Sequence, residues 1–145
     1  MQTMAESGLG LAVVAEPYRI PPNNCSGDLT GTVMILRAES TDSPNIKEIE
    51  TGRGYVAVAW GETIIVGLYA SPNDPITSLQ KILDSVSNCV RRESSQDVLI
   101  FGDFNAKSKL WGSPQTDHRG EAVAEWAAEL DLQLLNEGNK STCVR

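Results

Sequence analysis

Val98-Leu99-Ile100-Phe101-Gly102-Asp103-Phe104-Asn105-Ala106 is the stretch on which the reading of this chain turns. Its four leading residues carry β-forming apolar side chains and predict a short buried strand. At Gly102 the bulky side chain is given up. A carboxylate and a carboxamide follow, Asp103 and Asn105, with one aromatic residue between them. In extended backbone alternate side chains share a face, so Asp103 and Asn105 are expected to project together while Phe104 enters the core. Open α/β sheets commonly build their sites at the carboxyl ends of buried strands. An Asp that takes or gives a proton, beside an Asn that orients an oxygen, suits chemistry on a phosphate. The same residues also make an ordinary turn, because Gly, Asp and Asn all favour turns. The rest of the chain has to decide between the two.

On the amino-terminal side, Tyr55–Trp60 and Thr63–Tyr69 are two β-rich runs joined through Gly61-Glu62, a strong hairpin signal. Asp74 before Pro75 predicts a helix start, with Asp74 as cap and Pro75 in the first turn. Ile76, Leu79, Ile82, Leu83, Val86 and Val90 recur at helical spacing and predict a helix to about Arg92, its apolar stripe facing the core. Leu11–Ala15 and Gly31–Leu36 read as earlier strands. The Pro21-Pro22-Asn23-Asn24 segment through Gly27 and the stretch from Ser40 to Pro44 read as loops. On the carboxyl-terminal side, a long loop carrying Trp111 and Pro114 precedes a helix from about Arg119 to Leu130. A short strand, Leu132–Leu135, follows, and Thr142–Arg145 reads as the start of another. Strands and helices in this order predict a mixed sheet system with helices outside.

The 145 residues fit one domain, with 41% hydrophobic and 21% charged residues, an ordinary globular composition. No apolar run approaches the ~20 residues of a membrane span, and Met1–Gly8 lacks the layout of a signal peptide. A soluble intracellular protein is the expectation. Cys25, Cys89 and Cys143 are odd in number and far apart, which argues against a disulfide framework and a zinc site. His118, the single histidine, lies in a polar segment, and no Gly-x-Ser-x-Gly elbow accompanies it, so a Ser-His-Asp hydrolase is not expected. The net charge of −7 speaks against a broad nucleic-acid-binding surface. It leaves room for a nuclease in which carboxylates hold a divalent cation at the scissile phosphate.

Polar residues capable of chemistry collect at predicted strand ends: Glu16, Tyr69, Asp103 with Asn105, and Asn136. Each alone has a plain explanation, as a solvated acid, a rim aromatic or a turn former. Several at equivalent ends of one sheet favour a site.

Ala15-Glu16-Pro17-Tyr18, Leu68-Tyr69-Ala70-Ser71-Pro72-Asn73 and Phe101-Gly102-Asp103-Phe104-Asn105-Ala106 resemble, in order and spacing, successive motifs of the endonuclease/exonuclease/phosphatase superfamily. Gly102–Ser113, followed by Thr116-Asp117-His118-Arg119-Gly120 and Leu130–Asn136, is similar to the apurinic-type endonuclease domain of insect non-LTR retrotransposons. The resemblance covers nearly the whole chain. It implies an α/β fold, a DNase-I-like four-layer α-β-β-α sandwich, here incomplete at both ends as a single partial domain over residues 1–145. It implies phosphodiester cleavage with Mg²⁺, with Mn²⁺ as a substitute. Carried over by position, Glu16 binds the metal, and Asp103 handles the proton of the attacking water or the leaving group. Asn105 orients that group and the phosphate, and Tyr69 supports the phosphate. Lys107 and Trp111, in the loop beside the site, are candidate DNA contacts; for Trp111, packing is the favoured reading because of its large apolar area. The implied partners are a DNA target and a reverse transcriptase domain downstream in the same polyprotein, with a nuclear site of action.

The chain also departs from the family. The family's first strand carries a metal-site Asn, whereas residue 1 here reads as the tail of the first helix. The family's last strands carry a Ser-Asp-His-type motif, which residues 1–145 lack, and His118 lies in the wrong segment to replace it. These 145 residues by themselves are therefore expected to show no appreciable nuclease activity. Two alternatives remain: a phosphatase of the same superfamily, and a non-catalytic remnant.

Overall fold

The computed structural model describes residues 3–7, 11–15, 25–27, 29–37, 46–93, 97–134 and 141–144. In chain order they form β1 (Thr3–Ser7), β2 (Leu11–Ala15), β3 (Cys25–Gly27), β4 (Val33–Arg37), β5 (Ile46–Gly52), β6 (Tyr55–Trp60) and β7 (Thr63–Tyr69). Then come α1 (Ile76–Arg92), β8 (Asp97–Asp103), a 3₁₀ turn at Lys109–Trp111, α2 (His118–Glu129), β9 (Gln133–Leu134) and β10 (Ser141–Val144). Two sheets result, one ordered β1-β2-β4-β3 and the other β5-β6-β7-β8-β10-β9.

The strands β7 and β8 run parallel, with Tyr69 opposite Asp103, because α1 carries the chain back between them. Both faces of this region are buried. Toward the four-stranded sheet, Val56, Val58, Trp60 and Ile65 pack on Val33 and Ile35 of β4. Toward the helices, Ile64, Val66, Leu68, Val98 and Ile100 pack under Leu79, Leu83 and Val86 of α1 and Val123 and Trp126 of α2. Double burial is why these strands read as unbroken apolar runs. Among the described residues the layers are sheet, sheet and helices, with both helices on the outer side of the six-stranded sheet.

Three local readings change, and one strand was not anticipated. Thr3–Ser7 is not the tail of a helix; it pairs antiparallel with β2, from Thr3 opposite Ala15 to Ser7 opposite Leu11, tertiary pairing overriding a weak local signal. Cys25–Gly27, read as loop, pairs with β4. Ile46–Gly52 forms an edge strand whose Lys47, Glu48 and Glu50 mask it in the sequence and suit an exposed edge. Asp74 does not cap α1. The cap residue is Pro75, with no side-chain hydrogen bond, and Asp74 contributes its backbone carbonyl elsewhere.

Glu50 ties β5 into the domain by accepting from the Tyr55 hydroxyl at 2.7 Å and pairing with Arg92 in the last turn of α1. Burial would raise the Glu50 pKa, but the hydrogen bonds from Tyr55 and Arg92 and the arginine's charge outweigh it and hold the carboxyl below its ordinary value. Burial and the neighbouring Glu50 carboxylate push the Tyr55 phenol up to about 12. Nearby Cys89 is a free, buried thiol, raised first by burial and then by Glu50. No helix among the described residues is long and apolar enough to cross a membrane.

Candidate active site

The exits of β7 and β8 are stitched together. The Ala70 amide donates to the Asp103 carbonyl at 2.9 Å, continuing the pairing one residue past the strand. Gly102 is required at this approach: a Cβ there would stand 2.7 Å from the Leu68 side chain. Beyond Asp103 the backbone turns. The Asn105 amide donates to Asp103 Oδ1 at 3.2 Å, and Asn105 adopts φ +45°, a left-handed conformation that Asn tolerates better than most residues. Phe104 enters the core as expected, 2% exposed, with its ring 5.9 Å from that of Trp126.

Asp103 and Asn105 thus reach one concavity, but by a different route from the one expected. A turn closed on the Asp103 carboxylate brings them together, not the alternation of extended backbone. The concavity, about 280 Å³, is lined by Pro72, Asp103, Asn105, Lys107, Trp111 and Ser113 among others. The Asn105 side-chain amide donates to the Ala70 carbonyl at 2.8 Å, which fixes the plane of the carboxamide. Tyr69, the last residue of β7, packs against the core between the sheets and lines a separate groove with Thr30, Arg53 and Lys81, outside the hollow of Asp103 and Asn105.

Lys107 is exposed on the rim. Trp111 is 4% exposed and its indole N–H donates to the Ala106 carbonyl at 3.2 Å. Buried so, it anchors the loop while lining the hollow. Glu16 and Asn136 lie outside the described residues. His118 is the first residue of α2, with its side chain 93% exposed and 3.9 Å from Glu121, outside the concavity.

Sequence reasoning gave no role to Asp117, Arg119 or Gly120, which hold this loop in place. Asp117 caps α2 by accepting from the Gly120 amide at 2.7 Å, and the same oxygen accepts from the Lys107 amide at 3.0 Å. In return the Asp117 amide donates to the Lys107 carbonyl at 2.9 Å. A Cβ on Gly120 would lie 1.7 Å from the Lys107 carbonyl oxygen, so only glycine lets the helix seat there. Arg119 donates from Nε to the Asn105 carbonyl at 2.9 Å and from one terminal nitrogen to the Phe104 and Ser71 carbonyls at 3.0 and 3.2 Å. Its other terminal nitrogen donates to the Asp74 carbonyl at 3.1 Å. The one sequence signal for this was the spacing Asp-x-Arg-Gly at a helix start.

The geometry presents one carboxylate and one carboxamide in an open hollow, able to exchange a proton and orient an oxygen. Among the described residues no group of three or more His, Cys, Asp or Glu side chains is placed to hold a metal ion.

Comparison with known proteins places the fold. A solved structure, the endonuclease domain of TRAS1, a telomere-specific non-LTR retrotransposon, superposes with a TM-score of 0.76 over 92% of this chain and 72% of that one, at 23% identity. The fold is that of the DNase-I-like endonuclease domains. No curated protein matches the chain. The profile described as endonuclease-reverse transcriptase matches residues 63–145, more than half of the chain and the part that holds β7, β8, α2 and the concavity between their ends. The chain belongs to the endonuclease-reverse transcriptase family, a family of nucleases.

Proposed function

We propose that this chain is the Mg²⁺-dependent endonuclease part of a retrotransposon polyprotein, nicking target DNA so that a reverse transcriptase on the same polyprotein can start synthesis at the cut. The observation that carries the reading is the pairing of Asp103 and Asn105 in one open hollow at the ends of two adjacent parallel strands. Asp103 takes the proton of the attacking water or gives one to the leaving oxygen. Asn105, its amide held by Ala70, keeps the carboxamide in one plane and orients that group and the phosphate. Tyr69 supports the phosphate from the neighbouring strand end, and Lys107 meets the DNA backbone from the rim.

Among the described residues the lining of the hollow offers oxygen donors and no thiolate or imidazole, a set that suits a hard cation. Glu16, directly after β2, is the proposed metal carboxylate. Mg²⁺ or Mn²⁺ bound there supplies charge stabilisation on the phosphoryl oxygens. The site of action is the nucleus.

The test sets supercoiled plasmid beside inositol phosphates, using a polypeptide that extends these residues at both ends to include the family's terminal motifs. The expected result is Mg²⁺-dependent nicking of plasmid and no phosphate release from inositol phosphates. Phosphate release without nicking overturns the reading in favour of a phosphatase.

A further inference from the structure

We propose that Arg119 is a positioning residue for cleavage: it latches the loop leaving β7 to the loop leaving β8 and so sets the placement of Asp103 and Asn105. Its catalytic meaning rests on the endonuclease reading, whereas the latch itself does not.

The four acceptors of Arg119 are all backbone carbonyls, two on each loop: Ser71 and Asp74 after β7, Phe104 and Asn105 after β8. A guanidinium has five N–H groups in a rigid planar fork, and four of them are used here. A surface arginine held for solubility or for an ion pair does not spread its donors over two loops in this way. Two further hydrogen bonds join the loops, the Ala70 amide to the Asp103 carbonyl and the Asn105 side chain to the Ala70 carbonyl. Both are made by Asp103 or Asn105, whereas Arg119 joins the two loops from a third element, α2.

Asn105 has the most to lose without it. Its left-handed backbone persists only while its surroundings hold it there. Its N–H is engaged by Asp103 and its carbonyl by Arg119. The arginine is in turn aimed by the seating of α2, through the reciprocal Asp117–Lys107 bonds and the close approach at Gly120. The segment Asp117–Gly120 therefore acts as one device: Asp117 and Gly120 dock the helix start on one loop, and Arg119 reaches past it to the other. Lysine cannot substitute, because one ammonium gathers its donors at a point and cannot serve four separated carbonyls.

The experiment compares residues 1–145 with Arg119→Ala and Arg119→Lys by amide hydrogen exchange and by the NMR signal of the Asn105 side-chain amide. Expected in both variants is at least a tenfold rise in exchange at Asn105 and Ala70, with the Asn105 amide signal moving toward its solvent-exposed position. The amides of Val66 and Ile100 in the core should be unchanged. In the extended polypeptide that nicks plasmid, kcat should fall at least tenfold with KM unchanged. Three results overturn the proposal: unchanged exchange at Asn105, core amides rising in step with it, or faster loop exchange with unaltered kcat. Absence of nicking by the unsubstituted extended polypeptide counts against the endonuclease reading instead, and the exchange data still decide whether the latch exists.

Discussion

Asn105 combines two tasks that a substitution can separate. Its backbone sits at φ +45° and its side chain donates to Ala70. Glycine accepts the first and removes the second. Asn105→Gly should therefore keep its melting temperature within a few degrees while nicking falls by about 100-fold or more, the scale seen when one oriented polar group is taken from a preorganised site. Asn105→Ala adds a strained backbone costing roughly 1 kcal/mol, so it should melt below the glycine variant; an alanine variant as stable as glycine would remove the strain. At this scale the sequence was informative about chemistry and silent about support. Asp103 and Asn105 stand out because of their residue types after an apolar run. Arg119 does not, because its partners are carbonyls 14 to 48 positions away, which carry no residue signature.

Among the elements, legibility followed burial. The strands β6, β7 and β8 and the helix α1 bury enough side chains to print their periods on the sequence. The strand β5 does not, since its outward residues are charged and its contribution is a pairing edge. The amino-terminal strand β1 was misread for the same reason, its identity lying in its partner β2. The link from β5 to α1 gives a pH test. Tyr55, raised to about 12, contributes stability that is complete below pH 10 and is lost as pH rises through 12. Glu50, held below 4.5, contributes stability present above that value and lost as pH falls through its lowered pKa. Absorbance titration should show Tyr55 ionising near 12, so that Tyr55→Phe removes one tyrosine's worth of absorbance change from that step. A late step undiminished by the substitution would place the raised phenol elsewhere.

At the scale of the whole molecule, two sheets packed face to face put the ends of β7 and β8 at one edge of the sandwich, where the turn after β8 forms the hollow over the core residues Phe104 and Trp111. The order of strands and helices made a mixed sheet system with helices outside legible, while two sheets face to face was implied only by the family resemblance. The net charge of −7 means that DNA is not drawn to the surface at large, so the proposed reading puts recognition at the rim near Lys107 and at a cation that Glu16 would bind. Everything proposed for the site converges on one carboxylate. The decisive measurement is Mg²⁺-dependent conversion of supercoiled to nicked plasmid by the extended polypeptide, with and without Asp103→Ala, each checked for folding by circular dichroism. Nicking by the unsubstituted protein and its loss by at least 1,000-fold in a folded Asp103→Ala variant is the predicted result. Nicking by the folded variant at the unsubstituted rate would contradict the assignment of this hollow as the active site.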